Sequence, residues 1–341
     1  MLHAESCGSV EALEVLDTVN PLPPVEILDP MDTGPTHSAV ESGPLTTEQV
    51  AEFAREGFLV LDSPQVSTAD LDWCRRILMS LFDSGVGRKE GKHFDISARE
   101  GVDDGITPQI FRPSLFAPEL GAWAYRKVGL AIARQLLGPM AVLAGDNSVF
   151  KPSRIGGPTP WHQDEAHNDP LAYQEQVTIW MAMFDTTPTN GAMAFIPRSH
   201  SKGILPHRPH GGSQDANAIE CCEGFDPAEA VVCPIRAGGI TIHHGRTLHG
   251  ASANRSDVPR LGYILNYKNP PTRRPELGSF SWNQRVGKSI HRRRQLWLLR
   301  GGIIIEALRY VRSDRDNLRH FLRQVAKRVR SALSMREPRA H

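Results

Sequence analysis

The chain is 341 residues long and 40% hydrophobic, with 39 Lys and Arg against 38 Asp and Glu and five cysteines. Such a composition describes an ordinary soluble globular protein; the cysteines are too few for a disulfide framework, no run of 18 apolar residues offers a membrane span, and the first residues lack the basic start of a secretory signal. The net charge of +1 hides a division: residues 1–44 hold eight acids and no Lys or Arg, residues 285–341 hold 16 basic residues against four acids, and the stretch between is near neutral. We therefore expect a disordered acidic segment over 1–44, one domain over 45–284 and a basic helical extension over 285–341, in a reducing, cytoplasmic compartment.

In chain order, Thr46-Thr47-Glu48-Gln49 is a capping-box pattern that predicts a helix ending at Gly57, with Val50 and Phe53 inward. Phe58 to Leu61 reads as a short buried strand. A second helix from about Ser67 shows Leu71, Cys74, Leu78 and Leu81 on one face, and a third runs from Pro118 to the stop at Gly138. Beyond Gly138 the helical period gives way to short apolar or alternating runs at 141–151, 176–184, 191–197, 229–233, 239–244 and 259–268, with the run around Trp180 the longest. Helices first and antiparallel strands afterwards predict a double-stranded β-helix, a jelly roll with a helical layer on one sheet.

Chemistry concentrates in two places. In the extended segment Trp161-His162-Gln163-Asp164, positions two apart share a face, so an imidazole and a carboxylate can meet one point inside a barrel. Some 80 residues later, His243, His244 and His249 each offer a third ligand. Two His and one carboxylate leave open coordination positions, the arrangement of non-haem Fe(II) oxygen chemistry. Arg260 sits on an apolar strand, where its charge needs a partner. A dicarboxylate co-substrate would suit its fork, and an internal acid such as Asp146 would serve as well.

The blocks His162-Gln163-Asp164, Asn190-Gly191-Ala192-Met193, Ile196-Pro197-Arg198-Ser199-His200, Thr247-Leu248-His249-Gly250 and Arg260, in that order, resemble the phytanoyl-CoA dioxygenase family of Fe(II)/2-oxoglutarate oxygenases over about residues 46–268. The resemblance selects His249 as the distal ligand and implies that His162, Asp164 and His249 hold iron, while Arg260 takes the distal carboxylate of 2-oxoglutarate. It also implies that Gln163 lies between the proximal ligands, that Trp180 lines the co-substrate pocket, and that Asn147 and Gln109 contact 2-oxoglutarate. Where relatives place a hydroxyl two residues after the distal ligand, this chain has Ala251, with Ser252 as a nearby substitute. The implied activity uses O2 and turns 2-oxoglutarate into succinate and CO2 while a C–H bond of a small organic metabolite is hydroxylated or desaturated. Related halogenases carry Gly or Ala in place of the carboxylate, so Asp164 argues against chloride chemistry.

Substrate contacts are expected from His93 to Asp95, Ile110 to Arg112, Glu165 to Tyr173 and a mobile lid from Leu205 to Cys222. Arg112 and Arg208 would suit an anionic substrate. His207 and His210 read as a surface pair without a metal, and Cys221-Cys222 as a reduced structural pair. In the tail, Leu296, Leu299, Ile303, Ala307, Tyr310 and Val311 form one apolar stripe, and Leu318, Leu322, Val325, Val329 and Leu333 another. These helices suit a solvated face or packing against the body, peripheral contact with an anionic membrane or lipid-like substrate, or contact with the acidic head of the same or a neighbouring chain; nucleic acid is disfavoured because aromatic interleaving is nearly absent. The alternative function is a non-catalytic jelly-roll binding protein.

Overall fold

The capping box at Thr46 forms as read. Its hydroxyl accepts from the Gln49 backbone N–H at 3.2 Å while Gln49 Oε1 accepts from the Thr46 N–H at 2.9 Å, which starts α1 (Thr47–Glu56). Gly57 ends the helix at φ 81°, and a side chain there would collide with His200 and Thr247. This computed structural model describes residues 45–97, 105–169, 172–213, 216–273, 280, 282, 288–313, 322 and 326. The expectations for the acidic segment 1–44, for a boundary near 284, and for Leu318, Val325, Val329 and Leu333 lie outside the described residues.

After β1 (Phe58–Leu61), α2 (Thr68–Asp83) starts from a Ser67 cap; Phe82, not Leu81, completes its buried face. Two short strands follow that periodicity could not signal, β2 (His93–Asp95) and β3 (Pro108–Phe111). The helix expected from Pro118 is broken. A 3₁₀ turn (Pro118–Ala122) meets α3 (Ala124–Leu137) at Trp123, whose backbone is extended (φ −62°, ψ 139°). The break turns the indole inward, 5.3 Å from the Tyr125 ring and 5.8 Å from that of Tyr263, so aromatic packing outweighs helical continuity there.

The remaining strands are β4 (Val142–Lys151), β5 (Thr159–His162), β6 (Ala172–Tyr173), β7 (Gln176–Ala182), β8 (Met193–Phe195), β9 (His207–Pro209), β10 (Ile219–Cys221), β11 (Val231–Cys233), β12 (Ile240–His244), β13 (His249–Ala251), β14 (Arg260–Lys268) and β15 (Thr272–Arg273). Strand β4, with ten residues, is the longest, rather than the run around Trp180. An antiparallel sheet in the order β1-β12-β7-β14-β4-β3-β2 is accompanied by a smaller one in the order β11-β8-β13-β5, giving the double-stranded β-helix. Alternation along the large sheet assigns its faces. Val177, Ile179 and Met181 of β7, with Leu261, Tyr263 and Leu265 of β14, join Leu78 of α2 and Tyr125 and Ile132 of α3 in the main core. The other face of the same strands carries the chemistry.

Within the stretch from Leu205 to Cys222, β9 pairs with β10, and His207 is buried there. His210 and Arg208 both bond Glu220, so the two His do not form a surface pair. The described part of the basic extension packs against the body, one of the readings its apolar stripe allowed. Helices α4 (Lys288–Trp297) and α5 (Ile303–Ser313) meet at a turn where Gly301 adopts φ 90°, and Tyr310, Ile303 and Ala307 pack on Leu115. Glu306, fully buried, is held by Lys92 (3.1 Å) and Arg294 (2.7 Å). The expected stripe is thereby split, because Leu299 on its other side is 83% exposed. No helix among the described residues is long and apolar enough to cross a membrane. Cys74, Cys221, Cys222 and Cys233 are all free thiols.

Candidate active site

His162 closes β5, His249 opens β13, and the two are cross-strand partners. Their imidazoles therefore lie side by side, with ring centroids 4.2 Å apart. Asp164 reaches the same point by a different device from the strand alternation read in the sequence. Gln163 keeps the chain extended (φ −116°, ψ 130°), and Asp164 then opens a 3₁₀ turn (Asp164–His167) that brings its carboxylate back. Its Oδ1 lies 3.8 Å from His162 Nε2 and 3.9 Å from His249 Nε2. One ligand atom from each of the three residues falls within 4.8 Å of the others.

Tautomer and charge favour metal binding. Nδ1 of His162 faces the Pro160 carbonyl at 2.8 Å and Nδ1 of His249 the Thr247 carbonyl at 2.9 Å, so each donates its Nδ1 proton and leaves an Nε2 lone pair for the point that Asp164 Oδ1 also faces. Burial pushes both imidazoles below the usual histidine range. Burial alone would raise Asp164, but the hydrogen bond from His243 and the surrounding imidazoles hold its carboxyl well below the usual range. Neutral imidazoles and an ionised carboxylate are the ligand forms. His243, one of the three candidates offered by its segment, is buried on β12 with Nε2 3.3 Å from Asp164 Oδ2, and the Thr178 hydroxyl donates to the same oxygen. These two fix the carboxylate. Neither role was visible in the sequence, because nothing in the spacing joins residue 178 or 243 to residue 164.

The inner face of the large sheet supplies the rest. Register places Arg260 beside Lys151, Gly262 beside Val149, and Ile264 between Asn147 and Trp180, while Gln109 pairs with Val149. Arg260 is 2% exposed, its guanidinium stacks 4.3 Å over the Trp180 ring, Nη2 donates to Met193 Sδ, and Nε has no partner. It does not pair with Asp146, which is engaged by Arg126, Ser114 and Tyr263 on the opposite face of the sheet. Lys151 is also fully buried and donates only to the carbonyls of Ala251 and Ser252. Burial, then the charge of Arg260, holds its ammonium well below the usual lysine range. Two buried cations with no carboxylate within ion-pair distance among the described residues fit an anionic co-substrate.

Trp180 can lie across the sheet only because residue 262 has no side chain: a Cβ there would stand 2.1 Å from the indole Nε1. Gly262→Ala should displace the indole, lowering stability by about 1–3 kcal/mol and weakening 2-oxoglutarate binding; thermal melts with and without 2-oxoglutarate check both effects. Asn147 and Gln109 line a cavity of about 640 Å³ that also touches His162 and Asp164. Two residues of the family pattern have their polar groups engaged by the protein itself. The buried Gln163 amide donates to the carbonyls of Gly203 and Arg246 and accepts from the Leu205 N–H, so it pins two loops instead of reaching the co-substrate. Ser252 is exposed, and its hydroxyl donates to the Pro188 carbonyl. Gln163→Ala leaves three backbone groups unmatched and should cost about 3 kcal/mol in denaturant unfolding, with the KM for 2-oxoglutarate little changed in the folded fraction.

A facial His-Asp-His set inside a double-stranded β-helix defines the Fe(II)/2-oxoglutarate oxygenase class, and this donor set suits Fe(II). The chain belongs to the phytanoyl-CoA dioxygenase (PhyH) family, whose model matches residues 53–262. It is 27% identical over 181 residues to a probable alpha-ketoglutarate-dependent hypophosphite dioxygenase of Stutzerimonas stutzeri, covering 52% of this chain and 63% of that one. It is 32% identical over 142 residues to the phytanoyl-CoA dioxygenase domain-containing protein 1 of Mus musculus, covering 40% of this chain and 48% of that one. The matches thus span less than two thirds of these relatives' length. Among solved structures, EvdO2 of Micromonospora carbonacea var. aurantiaca complexed with 2-oxoglutarate is 27% identical with a TM-score of 0.60, covering 70% of this chain and 97% of that one. The carbocyclase SnoK, 22% identical with a TM-score of 0.54, shares the fold.

Proposed function

We propose that this protein is an Fe(II)/2-oxoglutarate-dependent oxygenase that hydroxylates a C–H bond of a small organic metabolite. The observation that carries the reading is the convergence of His162 Nε2, His249 Nε2 and Asp164 Oδ1 on one point, beside a cavity of about 640 Å³. Iron bound there would supply O2 activation coupled to the oxidative decarboxylation of 2-oxoglutarate. The chain's own residues do the rest. Nδ1 protons on the Pro160 and Thr247 carbonyls fix the two imidazoles, and Thr178 and His243 fix the carboxylate. Arg260, stacked on Trp180, binds the distal carboxylate of 2-oxoglutarate, with Lys151 adding to the positive field. Asn147 and Gln109 line the cavity that also touches His162 and Asp164, where they would contact 2-oxoglutarate. A carboxylate at 164 occupies the position a halide would need, which favours hydroxylation over halogenation.

The test is succinate formation by the full chain with Fe(II), 2-oxoglutarate and ¹⁸O2 over a metabolite panel. Stimulated turnover with one ¹⁸O in the oxidised product is expected. Turnover without oxygen in the product would leave the oxygenase class and replace hydroxylation by desaturation or ring closure. No iron uptake and no stimulation by any compound would sink the reading in favour of a binding protein.

A further inference from the structure

We propose that the cavity beside the ligand triad holds the primary substrate by an oxyanion group, a carboxylate or a phosphate, received between Arg112 and Lys268. The proposal rests on the oxygenase reading above, since it names the substrate class of that site.

Charge pairing around the cavity isolates these two side chains. Its lining carries Lys92, Arg112, Lys268 and Arg294 against Asp146, Asp164 and Glu306. Glu306 is taken by Lys92 and Arg294, Asp146 by Arg126, and Asp164 belongs to the triad. What remains is positive. Arg112 Nη2 donates to the Ala144 carbonyl and Lys268 Nζ to Asn168 Oδ1, both neutral acceptors, and no carboxylate among the described residues lies within ion-pair distance of either. A half-buried cation satisfied only by neutral groups is a standing cost that an anion would relieve.

The site is also built. Arg112 holds a left-handed backbone (φ 56°, ψ 59°), sparsely populated for a side-chain-bearing residue. Its N–H is tied to the Asp146 carbonyl, and the Asp146 carboxylate takes both the backbone N–H and the hydroxyl of Ser114 just beyond. Beneath the guanidinium is Gly145, where a Cβ would stand 3.3 Å from Cζ; Tyr310 of α5 faces it, with 5.3 Å between Cζ and the ring centroid. The acceptor carbonyl, Ala144, is the extra residue where the β4–β14 register shifts, a bulge that re-aims the strand toward the cavity. Arg112 is thus held on three sides, with most of its five N–H donors uncommitted.

The same register sets the length of the substrate. Thr178, Asn266 and Gly145 are successive partners across β7, β14 and β4, on the inner face, and Thr178 touches Asp164. Arg112 over Gly145 therefore stands two strand spacings, roughly 10 Å, from the Thr178 end of the row. Lys268 follows Asn266 by two residues and shares its face. An anion held there places the oxidised C–H bond several bonds away along the molecule. Phe94, Phe111, Ile219, Ile290 and Leu298 offer apolar walls for that intervening segment. A very small oxyanion could not span both ends.

The test is calorimetric titration of the full chain with hexyl phosphate, hexanoate and hexanol, with and without Fe(II) and 2-oxoglutarate under anaerobic conditions. At least one of the two anions should bind, the tighter naming the group, and hexanol should bind at least about tenfold more weakly. Arg112→Met and Lys268→Met should each weaken the anion about tenfold and leave the affinity for 2-oxoglutarate unchanged; either variant suffices if the other does not fold. Equal binding of hexanol, no binding of either anion, or anion affinity unmoved in both variants would overturn the proposal. Titration without iron keeps this outcome separate from the oxygenase reading: anion binding without iron uptake would uphold the anion site while that reading falls.

Discussion

Asp164→Ala is expected to lower iron affinity by more than about 100-fold and to abolish 2-oxoglutarate decarboxylation. Losing an outer partner of a metal ligand already costs about 10–100-fold, and this change removes a ligand together with the charge that balances the metal. The side chain has four roles. Oδ1 faces both imidazoles, and Oδ2 takes the Thr178 hydroxyl and the His243 N–H. The truncation leaves those donors unmatched, so some stability falls as well, by about 1–3 kcal/mol. Asp164→Asn separates the two effects, since it keeps the shape and removes the charge. Iron content after anaerobic reconstitution and succinate release are the measurements; a folded alanine variant that kept both at wild-type level would refute the ligand assignment.

Arg260→Met should separate stability from function in the opposite sense. In the protein without co-substrate, Arg260 is a buried guanidinium beside a buried ammonium, offset only by Trp180, a methionine sulfur and solvation it has lost. An unpaired buried charge is costly, so an apolar side chain of similar length should leave unfolding free energy unchanged or raise it by about 1 kcal/mol. The affinity for 2-oxoglutarate should nevertheless fall about 100-fold, the size expected when charge-assisted hydrogen bonds to a carboxylate are lost. Saturating 2-oxoglutarate should then raise the melting temperature of the wild type and barely move that of the variant. A variant that unfolds more easily yet binds 2-oxoglutarate normally would place Arg260 among the purely structural residues.

Most of the strand architecture was legible in the sequence, because it rests on short-range pattern; spacing also paired His162 with Asp164, whereas the choice of His249 among three candidates came from the resemblance to the family. Alternation marks β4, β7, β12 and β14, and the spacing in His162-Gln163-Asp164 limits where a carboxylate can go. What stayed illegible depends on pairing across the sheet. Thr178 and His243 matter to Asp164 only through the register of β7 with β12, and Gly262 matters only because Trp180 crosses it. Gln163 illustrates the converse: a polar residue between two ligands invites a co-substrate role, but its buried amide is taken up by the backbone of Gly203, Arg246 and Leu205. The break at Trp123 was hidden because helical spacing continues through it. In the tail, packing against the body was among the readings the apolar stripe allowed, but the acid that Lys92 and Arg294 receive, Glu306, is joined to Lys92 only across the fold and could not be found from spacing.

That attachment places one wall of the cavity late in the chain. All three ligands and Arg260 precede Lys288, whereas Ile290, Leu298 and Tyr310, which line the same cavity, follow it. The trio of Lys92, Arg294 and Glu306 ties that wall to the body. A change at Glu306 would therefore reach the cavity without touching a ligand of the triad.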